Sequence, residues 1–175
     1  TENLNAVCET VGKHADKVKG AKIRGIFLEG PFFTEKFKGA QNLNYMGDPS
    51  IEKLDEWIEL SQKQIKKIAL APERQGVIPF IKFASSKGVA TALAHSDATY
   101  ERAKEAVEAG ASIFVHTFNG MRGLHHREPG MAGAALSLED VYAEVIADGH
   151  HVHPAAIDIL VKARGNDETV LVTDC

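Results

Sequence analysis

Four ionisable residues each stand directly behind a short apolar run. Glu29 follows Ile26-Phe27-Leu28, His95 follows Ala92-Leu93-Ala94, His116 follows Ile113-Phe114-Val115, and Asp174 follows Val170-Leu171-Val172-Thr173. Asp148 follows Val145-Ile146-Ala147, with His150 and His151 close behind, and Ile68-Ala69-Leu70 leads to Glu73. Two imidazoles and a carboxylate suit Zn²⁺ or another first-row divalent ion with one position left for water. Such an ion lowers the pKa of its water towards neutrality. Asp174 is then placed to take the proton and pass it to a leaving group. Polar residues belong where strands reach the surface, and that accounts for one or two of these positions. A single histidine among them reads as an ordinary hydrogen-bonded core residue. The whole set, each member abutting an apolar run, reads as a functional site.

The loop behind His116, Thr117-Phe118-Asn119-Gly120-Met121, offers an amide side chain and a glycine N–H to an oxyanion or phosphate. Arg127, in Arg127-Glu128-Pro129-Gly130, offers a bidentate fork to phosphate or carboxylate. From chemistry alone, a solvated glycine-rich loop with an incidental arginine fits equally well. His150, His151 and His153 suit a second metal site, a substrate contact or plain loop surface, and spacing does not separate these. His14 reads as solvated, His125 and His126 as loop residues, and the lysines at 63, 66 and 67 as solvated charge.

Positioning such residues requires regular elements. Leu4, Val7, Val11 and Val18 recur at helical spacing before Gly20, and residues 23–28 read as a buried strand. A polar loop over residues 29–49 follows, of a length that is often functional. Ile51, Leu54, Trp57 and Ile58 form a helical stripe capped by Ser50. A strand over 65–70 leads to a helix marked by Val77, Phe80, Ile81 and Ala84, with Pro79 in its first turn and Gly88 at its end. The spacing then predicts a strand over 89–94, a helix capped by Thr99 and stopped by Gly110, and a strand over 112–116. A glycine-rich loop to Gly133 precedes a strand over 141–147. A helix over 154–163 has Gly165 past its end, and a last strand covers 169–173. Six strands, most followed by helices, mean βαβ units and a parallel sheet, in an open doubly wound form or a barrel. In a barrel, strand carboxyl ends share one face, where active sites lie.

Composition excludes several classes. A chain of 175 residues with 44% hydrophobic content suits one globular unit with a real core, and no second domain or linker is evident. A net charge of −4 argues against a nucleic-acid footprint. No apolar run approaches a membrane span, and residues 1–5 lack a signal-peptide layout. Cys8 and Cys175 lie near opposite ends and suggest no disulfide framework, which reads as a reducing cytoplasm. Thr1 and the stop just behind a strand-like run read as cut ends.

Six short motifs occur in order: Leu28-Glu29-Gly30-Pro31-Phe32, Ala94-His95-Ser96-Asp97-Ala98, His116-Thr117-Phe118-Asn119-Gly120-Met121, Arg127-Glu128-Pro129-Gly130, Ala147-Asp148-Gly149-His150-His151-Val152 and Leu171-Val172-Thr173-Asp174. Each is weak alone. Together they resemble the N-acetylglucosamine-6-phosphate deacetylase family of the amidohydrolase superfamily, from about Gly25 onward. The resemblance implies a (β/α)8 TIM-barrel hydrolase of amino-sugar catabolism, with about the third to eighth strands present. It also implies two earlier strands and a small β-sandwich domain that this chain lacks, so residues 1–175 read as a partial barrel domain, with inactivity of the isolated piece left open.

The family's reaction removes acetate from N-acetyl-D-glucosamine 6-phosphate in the cytoplasm. By position, Glu29, His95 and His116 match its metal ligands and Asp174 its general acid/base. Asn119, Gly120, Arg127 and His151 match substrate contacts, Arg127 to the phosphate, with His150 the less favoured neighbour of His151. Some members carry a histidine where this chain has Gln41, which donates a hydrogen bond but does not titrate. The implied cofactor is one or two divalent ions, zinc first, with iron, cobalt, nickel or manganese open. The implied assembly is a homodimer, without nucleic acid or membrane. Competing readings are another amidohydrolase or an inactive sugar-phosphate-binding fragment.

Overall fold

The computed structural model describes residues 2–174; Cys175, expected to be unpaired, lies outside them with Thr1. Six parallel strands form one sheet in the order β1-β2-β3-β4-β5-β6. They are β1 (Ile26–Phe32), β2 (Ile65–Leu70), β3 (Ala90–Leu93), β4 (Ala111–Phe114), β5 (Tyr142–Ile146) and β6 (Thr169–Val172). Helix α1 (Glu2–His14) precedes them. Helices α2 (Ile51–Leu60), α3 (Val77–Ser86), α4 (Tyr100–Glu108), α5 (Gly130–Ser137) and α6 (Pro154–Glu168) make the crossovers. A doubly wound sheet needs a point where the strand order reverses. Among the described residues there is none, so the sequential order is that of a barrel wall, with β1 and β6 at its edges.

The core divides by strand face. One face packs under the helices through Ile26, Leu28, Ile68, Leu70, Leu93 and Phe114, against Leu54, Trp57, Phe80 and Ile81. The inner face carries a separate small cluster of Phe33, Ala69, Ala92, Ala94 and Val115. Alanine at three of these five inner positions leaves room above the sheet for larger polar side chains. Helix caps are local and as expected: Ser50 Oγ accepts from the Lys53 N–H at 3.2 Å, and Thr99 Oγ1 from the Arg102 N–H at 3.3 Å. Among the described residues no helix is long and apolar enough to cross a membrane.

Several expectations shift. The packed face of α1 runs through Leu4, Cys8 and Val11, with Ala15 buried just past its end, whereas Val7 turns outward and Val18 lies exposed beyond the helix. Strand β1 does not stop at Glu29 but continues to Phe32, with a register shift between Glu29 and Phe32. Irregular strand pairing of this kind re-aims side chains and is common beside functional sites. The glycine-rich stretch up to Gly133 contains the start of α5, a helix missed because Gly130 to Ala135 are all buried and show no amphipathic period. Helix α6 extends past its expected end only through a non-helical break at Gly165.

Candidate metal centre

The long segment between β1 and α2 folds as two short 3-10 turns, Glu35–Phe37 and Leu43–Tyr45, and closes over the sheet. Its main effect is on His95. The Phe37 carbonyl lies 2.7 Å from His95 Nδ1, and the Phe33 ring packs beside the imidazole at a centroid distance of 4.4 Å. His116 is held similarly, with Nδ1 3.1 Å from the Asn119 carbonyl, while the Asn119 N–H donates back to the His116 carbonyl at 2.9 Å. A carbonyl oxygen only accepts, so each Nδ1 carries the proton and each Nε2 presents a lone pair.

Those two lone pairs converge. Nε2 of His95 and Nε2 of His116 are 3.2 Å apart, and Glu29 Oε1 stands 3.0 Å from the first and 3.4 Å from the second. Three electron-rich atoms at such distances repel unless a cation sits among them. Metal bonds of about 2.0–2.1 Å in tetrahedral geometry separate neighbouring donors by roughly 3.3–3.4 Å, close to the spacing here. The donor set and the two carbonyls fixing its tautomers therefore fit a divalent ion. Without one, a proton does part of the same work. Burial pulls the His116 pKa down, but the Glu29 hydrogen bond and charge, with the Asp174 charge, carry it above its ordinary value. The hydrogen bonds from His116 and then His95 hold the Glu29 carboxyl at about 2.

Three of the four strand-end residues singled out above adopt left-handed backbone conformations: His95 at φ 47°, His116 at φ 34° and Asp174 at φ 58°. Such conformations in non-glycine residues persist where the surroundings impose them. Asp174 and Glu29 line one open cavity of about 600 Å³, together with Lys67, Val115 and Glu144. Gln41 reaches the same region, its Nε2 donating to the Glu29 carbonyl at 3.4 Å. Gly39 and Gly120 have positive φ, and a Cβ on either would lie 3.1 and 3.0 Å from the His95 ring, respectively.

The remaining expected residues sit further out. Asp148 accepts from the N–H groups of His150 and His151 and also contacts His151 Nδ1 at 2.7 Å. Those contacts, the His151 N–H first, lower the Asp148 pKa. Only the His151 ring is fixed in this way. Arg127 is exposed, and its guanidinium has no hydrogen bond or ion pair among the described residues. Its neighbour Arg122 is bound to Asp97 Oδ1 at 3.0 Å and Glu128 Oε2 at 2.9 Å.

One expectation is corrected. Lys67 is not solvated surface charge: its Nζ points to the inner face, 2.5 Å from Glu144 Oε1 and 3.7 Å from the centre of the Phe27 ring. Alternation could have revealed this, since Lys67 and Glu144 both sit inside apolar strands. No sequence signal marked the Phe37 carbonyl, because any residue carries one.

No protein-family model matches the chain. Individual relatives do. N-acetylglucosamine-6-phosphate deacetylase of Vibrio furnissii is 47% identical over 169 residues, covering 97% of this chain and 42% of the relative. N-acetylgalactosamine-6-phosphate deacetylase of Escherichia coli O157:H7 is 44% identical over 155 residues, covering 89% and 41%. The solved structure of N-acetyl-D-glucosamine-6-phosphate deacetylase from Mycobacterium smegmatis superposes with a TM-score of 0.94 at 32% identity, over 99% of this chain and 45% of that one. The chain is homologous to a segment of the N-acetylglucosamine-6-phosphate deacetylase family. It spans about two fifths of the length of the curated deacetylases it matches. A mutant of the M. smegmatis deacetylase in complex with N-acetyl-D-glucosamine-6-phosphate superposes equally closely, at a TM-score of 0.93.

Proposed function

We propose that the protein containing this chain hydrolyses the acetamide of an N-acetylhexosamine 6-phosphate, with N-acetyl-D-glucosamine 6-phosphate as first choice. The observation that carries this is the convergence of Glu29, His95 and His116, with Glu29 also lining a cavity that Asp174 shares. The likeness to deacetylases supplies the substrate class. A divalent ion held by Glu29, His95 and His116 supplies Lewis acidity, lowering the pKa of water and offsetting charge that develops on the carbonyl oxygen.

The chain's own groups do the rest. The Asp174 carboxylate accepts a proton from the attacking water. As the new C–O bond forms and the C–N bond breaks, the same carboxyl returns that proton to the departing amine, leaving acetate and the amino sugar. Gln41, Asn119 and the Gly120 N–H offer hydrogen bonds near the reacting amide. His151, oriented by Asp148, and the free fork of Arg127 hold the sugar and its phosphate, so that binding energy remote from the amide orients it.

A second reading concerns the sugar. Relatives acting on glucosamine and galactosamine derivatives are 47% and 44% identical to this chain, so the epimer at C4 stays open between them. The test is metal analysis followed by acetate release. The purified protein is expected to hold about one divalent ion per three-ligand site, lost in a Glu29→Gln/His95→Ala double variant. It should release acetate from one or both N-acetylhexosamine 6-phosphates. Asp174→Asn should keep the metal and release none. A metal-loaded protein that leaves both sugar phosphates intact would overturn the assignment.

A further inference from the structure

Glu73 stands behind β2, in Leu70-Ala71-Pro72-Glu73, and belongs neither to the ligand set nor to the cavity lining. Its carboxylate nevertheless accepts three hydrogen bonds. Oε1 accepts from the Thr34 hydroxyl in a very short contact and from the Asp97 N–H at 2.7 Å. Oε2 accepts from the Ser96 hydroxyl at 2.7 Å. Among the described residues no cation pairs with it, so three neutral donors alone balance a half-buried charge. A carboxylate kept that way is held for its acceptor geometry rather than for an ion pair.

The three donors bracket one residue. Ser96 and Asp97 immediately follow His95, and the Thr34 N–H donates to the His95 carbonyl at 3.0 Å. His95 itself is left-handed at φ 47°. Its other backbone ties, Ala94 N–H to the Leu70 carbonyl at 3.0 Å and Ser96 N–H to the Gly120 carbonyl at 3.1 Å, fix the flanks of the bend but not the hydroxyl and amide that Glu73 grips. Loops behind β1, β2 and β3 thus meet at one carboxylate, one residue away from the imidazole.

We propose that Glu73 is a positioning residue for the metal centre, clamping Thr34, Ser96 and Asp97 so that His95 Nε2 points at Glu29 and His116. The proposal rests on the reading of those three residues as metal ligands. The Ser96 hydroxyl also accepts from the Ala98 N–H at 3.0 Å, which leaves its proton for Glu73. A glutamine at 73 keeps one oxygen for Thr34 and Asp97, and its amide N–H can use the remaining lone pair of Ser96. Glu73→Gln therefore preserves the clamp, whereas Glu73→Ala removes all three bonds.

The test is Co²⁺ binding to the metal-depleted protein, by chelator competition and by the visible d–d bands that report ligand geometry. Glu73→Ala is expected to bind at least about ten-fold more weakly, the scale typical of lost support around a ligand, with altered bands. Glu73→Gln should restore both. Ile81→Val, in the core beneath the helices, controls for general destabilisation and should leave the bands unchanged. Unaltered affinity and bands in Glu73→Ala would overturn the proposal, as would equal weakening in Ile81→Val. If Glu73→Ala does not fold, Thr34→Val and Ser96→Ala each remove one bond and are read in the same way. If the wild type itself takes up no Co²⁺, the metal reading fails, and ¹⁵N imidazole spectra of the metal-free protein decide on Glu73. A single Nδ1–H tautomer of His95 that becomes a mixture in the variant supports the clamp, and an unchanged tautomer refutes it.

Discussion

His95 and His116 face each other through their Nε2 atoms at 3.2 Å, while both Nδ1 atoms are turned to backbone carbonyls. With Glu29 Oε1 as the third member, these atoms form a cluster capable of holding a divalent ion, and on the proposed reading a proton on His116 competes with that ion. The exchange between the two has a definite sign. The His116 pKa is raised above 6.5 in the folded protein, so its contribution to stability is complete below 6.5 and lost as pH rises through the raised value. Glu29, held at about 2, contributes stability above 4.5 that is lost only as pH falls towards 2. The metal-free protein should therefore lose thermal stability as pH rises from 6.5, by more than a His116→Asn variant does. With zinc present the trend should reverse, because the ligands bind only when deprotonated. Thermal scans in chelator and in zinc read both, and parallel curves for wild type and His116→Asn in chelator would sink the idea.

Gly120 and Gly88 separate backbone strain from ring displacement. Both have positive φ, 58° and 73°, so alanine at either costs about 1–2 kcal/mol for the left-handed conformation. At Gly88 the new methyl meets nothing within 4 Å, whereas at Gly120 it would stand 3.0 Å from His95 Nδ1. The two variants should lose similar stability in chemical denaturation. Gly120→Ala alone should bind metal more weakly. Equal metal affinity in the two would show that the His95 ring yields without cost.

Lys67 and Glu144 join β2 to β5 across the inner face, with 18% and 10% of their side chains exposed. Removing one partner of a buried pair strands the other charge, at a cost of about 3 kcal/mol. Lys67→Met should thus destabilise strongly, and Lys67→Met/Glu144→Gln should recover most of the loss. A double-mutant cycle by urea denaturation measures the coupling. Additive losses would mean that water already screens the pair.

Which features were legible depended on periodicity. Strand β2 and the caps Ser50 and Thr99 follow directly from apolar runs and turn residues, and the strand-end positions of His95 and His116 from the same runs. The ring orientations were not legible, since they are set by the carbonyls of Phe37 and Asn119, groups that every residue carries. Helix α5 was hidden because burial on all sides removes the amphipathic signal. The bracing role of Glu73 was hidden for a different reason: its donors come from Thr34, Ser96 and Asp97, which only the folded loops bring together.

Two arginines near one loop make opposite predictions. Arg122 is occupied by Asp97 and Glu128, and the Asp97 hydrogen bond first among its contacts holds its pKa above the ordinary arginine value. Glu128 in turn accepts from the N–H groups of Tyr100 at 2.9 Å and Gly130 at 3.1 Å, so Arg122 is part of the loop's frame. Arg127, exposed and unpaired among the described residues, has its fork free for a phosphate. A charged hydrogen bond is worth about 1.5–3 kcal/mol, so Arg127→Ala should raise KM for the 6-phosphate roughly ten- to hundred-fold. It should leave the unphosphorylated N-acetyl sugar unaffected. Arg122→Ala, by loosening the frame, should lower thermal stability and impair both substrates together. Steady-state kinetics on the two sugars decide the matter: an equal loss on both in Arg127→Ala would remove that residue from the phosphate site.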